Sequence, residues 1–166
     1  MVAPGHSVQF YRDERFLIDS ISSYIKAGLD LNETVLVIVT AQHPKELYTT
    51  LTGKELRDDK LRFLDAEDFL ALFMVGDCPN ESQFMHGMKT ILGLVCGPGQ
   101  VRIFGEAVAV LCAEGKAAAA LRLEELWNIV ILKHHFSLLC AYSLCDIFEK
   151  ADQERVCQLH RHVQIQ

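Results

Sequence analysis

The chain has 166 residues, half of them hydrophobic and 23% charged, a composition that suits a globular domain with one core and excludes a disordered chain. Its 16 basic and 22 acidic side chains give a net charge of −6 with no Lys/Arg cluster, which disfavours direct nucleic-acid binding. No apolar run approaches the ~20 residues of a membrane helix, and the opening MVAPGHSVQF lacks the basic and apolar regions of a signal peptide, so a cytoplasmic protein is expected.

SVQFY (7–11) reads as a first strand, and Asp13 can cap a helix through about Gly28 with Leu17, Ile21, Tyr24 and Ile25 on one face. TVLVIV (34–39) is a continuous β-branched run, typical of a strand covered on both faces. Pro44 suits the first turn of a helix through about Leu51. LRFLD (61–65) is a third strand, with Asp65 capping AEDFLALFM. Asn80 and Gln83 resemble a capping box opening a helix with Phe84, Met88, Ile91 and Val95 on its apolar face, and GPG (97–99) ends it.

VRIF (101–104) is the fourth strand. After Glu106 come a short helix to about Ala113, a break at Gly115 and a long helix to about Lys133. FSLLCAY (136–142) is the fifth strand, and about Phe148 to His160 is helical. Without repeats or linkers the chain reads as one domain, 1–166. Strands alternating with helices predict a three-layer α/β/α fold around a mostly parallel central sheet of about five strands.

In such sheets ligands bind beyond the carboxyl ends of the strands, where this chain puts Tyr11, Thr40, Asp65, Glu106 and Tyr142–Ser143. Glu106 follows Gly105, which permits a tight turn. It reads either as a carboxylate for a ligand or cation, or as an acid stabilising a helix N-terminus by about 0.3–1 kcal/mol. After the first strand stands YRDER, without the glycines or the Lys-Ser/Thr of a phosphate loop, which disfavours a P-loop ATPase. His6 lies about 16 Å from that strand's far end at ~3.3 Å per residue, so it is expected at the edge opposite Glu106.

Cys157 and His160 in VCQLHRHV share a helix face at i, i+3, which offers two metal ligands but not a site. His134–His135 read as a cap on the long helix's C-terminus. In LRLEELWN, Leu123, Leu126, Trp127 and Val130 form a packing face. Glu124, Glu125 and Asn128 read as polar, with Glu125 or Asn128 able to line a pocket. The six cysteines (Cys78, Cys96, Cys112, Cys140, Cys145, Cys157) include no CxxC pair, and are expected reduced and mostly buried. No GxSxG elbow or catalytic cysteine frame is present.

HSVQFYRDERFL, VRIFGEAVAVLCAEG with ALRLEELWN, FSLLCAYSL and VCQLHRHV occur in this order, and over about 6–163 the chain resembles the MEDS family, the sensory domain of regulators in methanogens and methylotrophs. The resemblance implies a RecA/KaiC-like fold that has lost its P-loop, in agreement with YRDER. It also implies a role in sensing small molecules such as simple hydrocarbon derivatives, in company with histidine kinases, anti-sigma-type kinases or transcription regulators. The family positions present are His6, Phe10, Tyr11, Gly105, Glu106, Glu125, Trp127, Asn128, Cys140, Tyr142 and His160.

The expected function is therefore a small-molecule-sensing, non-enzymatic domain of a prokaryotic signalling system, such as a two-component system. Glu106 and Tyr142 would orient the ligand, Tyr11 would form an aromatic wall, and His6, Glu125 and Asn128 complete the candidates. The cofactor is unspecified. The rival readings are a metal-assisted hydrolase or degenerate nucleotidase using Glu106 as base, and an interaction module. Apolar residues on more than one side of helix 116–133 suggest a homodimer.

Overall fold

The computed structural model describes residues 5–95, 99–145 and 150–165. In chain order these form β1 (His6–Tyr11), α1 (Glu14–Asp30), β2 (Thr34–Val39), α2 (His43–Thr50), α3 (Gly53–Leu56), β3 (Leu61–Asp65) and α4 (Ala66–Ala71). There follow β4 (Met74–Val75), β5 (Cys78–Pro79), α5 (Glu81–Val95), β6 (Val101–Gly105), α6 (Ala107–Ala113), α7 (Ala117–His134), β7 (Ser137–Ser143), α8 (Lys150–Leu159) and β8 (His162–Ile165).

Six strands form one parallel sheet in the order β3-β2-β6-β7-β1-β8, and β4 and β5 make a separate antiparallel hairpin. The three-layer α/β/α fold with a parallel central sheet is as expected, with one edge strand more than the five read from the sequence. The sixth, HVQI, is short, exposed along its length and at the sheet's edge, so it lacks the buried apolar run that marks the others.

The chain steps outward from β1 to β2 to β3, then returns through β6 and β7 and ends beyond β1 at β8. Right-handed crossovers running in opposite directions put their helices on opposite faces. Accordingly Leu17, Ile21 and Leu47 of α1 and α2 pack with Val35, Val37 and Val39. Phe69, Phe84, Val108, Trp127 and Val156 of α4 to α8 pack on the other face with Leu36, Ile38, Val8 and Phe10. Neighbouring β2 and β6 therefore send the chain to opposite faces, and their carboxyl ends border a crevice.

The predicted caps form: Asp13 accepts from Arg15 N at 2.8 Å, Asp65 from Glu67 N and Asp68 N, and Asn80 Oδ1 from Gln83 N at 3.0 Å. His135 closes α7 in the left-handed conformation, φ 53°, and Gly115, φ 76°, separates α6 from α7. Part of GPG and the start of the last predicted helix lie outside the described residues.

The several apolar sides of α7 are used inside the chain, because this helix packs against β1, α5, α6 and α8. Of the residues that suggested a dimer face, only Leu132 is well exposed. Trp127 is stacked on Phe69 at 5.6 Å and meets Phe84 and Phe136 edge-on. Among the described cysteines Cys112 and Cys140 are buried, Cys157 is half-buried, and Cys78 and Cys145 are exposed, so burial is less general than expected. Near the amino ends of β2 and β6, Arg102 Nε donates to Glu33 at 2.6 Å and its guanidinium lies 4.6 Å over the Tyr24 ring. No helix of the described residues is long and apolar enough to cross a membrane.

Candidate functional site

A cleft of about 400 Å³ opens at the carboxyl edge, lined by Tyr11 and Glu14 after β1, Thr40–His43 after β2, Glu67 after β3, and Glu106 with Ala109, Val110, Ala113 and Glu114 around α6. The crossover geometry puts these segments together, since each leaves the sheet at the same end. A larger depression of about 660 Å³ lies along α5 and Leu72, and its lining includes none of the carboxyl-edge residues.

Glu106 is the centre of the cleft's polar wall and is only 1% exposed. It begins α6, but its side chain makes no capping bond to that helix. Instead Oε2 accepts from Thr40 N at 2.9 Å and from His43 Nδ1 at 2.8 Å, tying the end of β6 to the turn after β2. The His43 Nδ1–Oε1 separation is also short, 2.7 Å, an ion-pair contact whose angles do not make a hydrogen bond, so Oε1 has no hydrogen bond among the described residues. His43 Nε2 is likewise buried without a partner among the described residues. The hydrogen bond to Glu106 holds the His43 pKa above the ordinary histidine value against the opposing effect of burial, with smaller support from the Glu106, Glu14 and Glu46 charges. The carboxylate is thus a strut between two loops, a role that neither sequence reading anticipated.

Tyr11 and Glu106 share this cleft, but Tyr142 does not. Successive residues of a strand face opposite sides, so Tyr142 falls with Leu138 and Cys140 on the α7 face while Tyr11 packs with α1. The joint role of Glu106 and Tyr142 toward one ligand is therefore replaced by two separate settings. Glu125 also lies apart, paired at 2.9 Å with Arg122 on the surface.

Tyr142, Asn128 and His6 belong to a second, buried cluster between the sheet and α7. Its hub is Glu124, 0% exposed. Tyr142 Oη donates to Glu124 Oε1 at 2.7 Å and Cys140 Sγ to Oε2 at 3.4 Å. His6 Nε2 lies 3.0 Å from Oε2, and His160 Nε2 lies 3.4 Å from Oε1. This last separation lacks hydrogen-bond geometry, so His160 Nε2 is buried without a hydrogen-bond partner among the described residues. Burial alone would raise the Glu124 carboxyl, but His160 and His6 outweigh it and hold the group well below the usual carboxylate range. Burial first, and then the Glu124 charge, push the Cys140 thiol and the Tyr142 phenol well above their ordinary values.

One ligand atom from each of His6, Glu124, Cys140 and His160 lies within 4.8 Å of every other, so among the described residues these four form a group that could hold a metal ion. His160 is thus combined with these residues, and Cys157, the other metal candidate, falls outside the group. His6 sits at the β1 start, the edge opposite Glu106, as its position in the strand predicts.

Glu124 and His43 are the residues that sequence reasoning passed over. Glu124 reads from the sequence only as polar, although Ala120, Glu124, Trp127 and Ile131 recur at helical spacing and all are buried. An acid inside such a stripe is a legible signal of a partnered buried carboxylate. His43 carried no signal, because only the fold brings it to Glu106, 63 residues away.

No curated protein matches this sequence. The family model described as "MEDS: MEthanogen/methylotroph, DcmR Sensory domain" matches residues 5–161, which include both clusters. The chain belongs to the MEDS family of sensory domains.

Proposed function

We propose that this domain senses a small molecule in the carboxyl-edge cleft and reports it to a partner protein. The observation that carries the reading is that two residues lining the cleft keep a buried polar atom without a hydrogen bond among the described residues: His43 Nε2, and Glu106 Oε1, whose one close contact is the ion pair with His43 Nδ1. Buried polar atoms normally find partners, and the crevice at a strand switch point is where an α/β sheet receives a ligand.

The lining narrows the chemistry. Tyr11, Ala109, Val110 and Ala113 supply apolar surface, while Glu14, Glu67, Glu106 and Glu114 disfavour an anion. The ligand is a compact neutral or cationic molecule with an apolar body and a hydroxyl or amine that donates to Glu106, a class that includes simple hydrocarbon derivatives. Because α6 starts at Glu106 and lines the cleft, a ligand that prefers one setting of α6 shifts the population toward it. A histidine kinase, an anti-sigma-type kinase or a transcription regulator reads that change. The function is binding, not turnover.

Native mass spectrometry of gently purified protein, followed by thermal-shift titration with small alcohols and amines, tests this. Ala109→Phe is the informative variant, because it fills the cleft without removing the Glu106–His43 pair. The wild type is expected to retain or bind such a molecule, and Ala109→Phe to lose it at unchanged melting temperature. Equal binding by both proteins, no binding by either, or turnover of the ligand overturns the reading.

A further inference from the structure

The buried cluster on the α7 face is separate from the proposed sensing cleft, and its chemistry points elsewhere. His160 Nδ1 lies 2.6 Å from the carbonyl oxygen of Val156, which can only accept, so Nδ1 carries a proton. His6 Nδ1 lies 3.1 Å from Asn128 Oδ1, and the Asn128 amide is oriented by donation from Nδ2 to Leu159 O at 2.9 Å. His6 Nδ1 therefore also carries a proton. Both rings are thereby fixed with Nε2 directed at Glu124. A histidine whose far nitrogen donates to a carbonyl or amide oxygen is the usual arrangement of a metal ligand.

The donor set also balances the charge of a divalent ion. With Glu124 and the Cys140 thiolate it sums to zero charge, the imidazoles stay neutral, and the thiol proton is released on binding.

The spacing agrees. Bonds of about 2.0–2.1 Å to nitrogen or oxygen and about 2.3 Å to sulfur give tetrahedral edges of about 3.3–3.6 Å. His6 Nε2 and Cys140 Sγ lie 3.0 Å and 3.4 Å from Glu124 Oε2 and 3.4 Å from each other, and His160 Nε2 lies 3.4 Å from the other carboxylate oxygen, Oε1. We propose that His6, Glu124, Cys140 and His160 form a closed four-ligand site for a divalent transition metal of the zinc class.

The mixed nitrogen, sulfur and oxygen donors disfavour Mg²⁺ and Ca²⁺. All four positions come from protein and all four residues are buried, so the ion is structural and has no open position for water. It ties β1, β7 and α7 to the α8–β8 junction, where Arg161 N already donates to His6 O. Asn128 is a positioning residue that holds His6, and Tyr142 holds Glu124.

The test is metal analysis of the untagged full chain from zinc-supplemented culture, followed by refolding with chelator and titration with Co²⁺. The expected result is about one zinc per chain, the count a closed site of four protein ligands takes. Co²⁺ is expected to give tetrahedral ligand-field bands and a thiolate charge-transfer band that Cys140→Ser abolishes. Asn128→Leu should weaken metal affinity by about 10–100-fold. Folded wild type with little metal and no Co²⁺ spectrum overturns the site. Should Cys140→Ser fail to fold, the variant combining Cys78→Ser, Cys96→Ser, Cys112→Ala, Cys145→Ser and Cys157→Ser decides, since Cys140 is then the one thiol of the chain: survival of the band supports the site and its loss overturns it.

Discussion

Replacing Glu106 with glutamine tests the strut at the carboxyl edge without changing its size. The amide oxygen can still accept from Thr40 N, now at 2.9 Å from the carboxylate, but it cannot offer a negative charge to His43. Hydrogen bonds to charged groups contribute about 1.5–3 kcal/mol against about 1 for neutral ones, so the exchange costs about 1–2 kcal/mol. For a chain of this length that lowers the melting temperature by about 2–8 °C. The loss depends on pH. The His43 pKa is raised in the folded state, so the folded chain binds more protons than the unfolded one between about 6.5 and the raised value. Its stabilisation is fully present below about pH 6.5 and disappears as pH rises through the folded value. In Glu106→Gln the largest raising cause is gone and burial is left to oppose protonation, so that slope flattens or reverses. Calorimetric melting of both proteins from about pH 6 to about pH 9 should show a gap that narrows with pH. Parallel curves, or a variant as stable as wild type at the acid end, would refute the reasoning.

Other substitutions probe the supporting structure. Arg102→Met strands the buried Glu33 carboxylate and should cost about 3–5 kcal/mol by denaturant unfolding, whereas adding Glu33→Leu should recover most of it. A double variant no better than the single would show that the contacts of Arg102 with Tyr24 carry the effect. At Gly28 an added Cβ would stand 2.7 Å from Val35 Cγ2 and 3.0 Å from Arg102 Cδ. Overpacking of about 1–3 kcal/mol then outweighs the ~1 kcal/mol that alanine gains in a helix, so Gly28→Ala should melt lower, and a higher melting temperature would count against this. Trp127, the only tryptophan and 1% exposed, should fluoresce at short wavelength and resist aqueous quenchers until unfolding, while Trp127→Ala should cost about 3–5 kcal/mol.

The sequence by itself determined the local grammar of this protein. Asp13, Asp65 and Asn80 cap the helices they precede, because capping is settled within three residues. TVLVIV is a strand covered on both faces, because a β-branched run has no polar side to give to water. The ordered segments carried the family. Glu106 was legible as a carboxylate at a strand end, since its place depends only on the strand before it and the helix after it.

What only the tertiary structure decided is who meets whom. Strand order is set by crossover direction, and it brings β2 beside β6 and therefore His43 to Glu106. Side-chain parity along β7 sends Tyr142 to the α7 face and away from the cleft, a consequence of register that no local pattern reveals. Glu124 meets His6, Cys140 and His160 from 118, 16 and 36 residues away only after α7 has packed on the sheet and the tail has returned beside β1. Such sites are non-local: each side chain is ordinary in its own segment, and its chemistry arises from burial beside groups that the chain closes around it last.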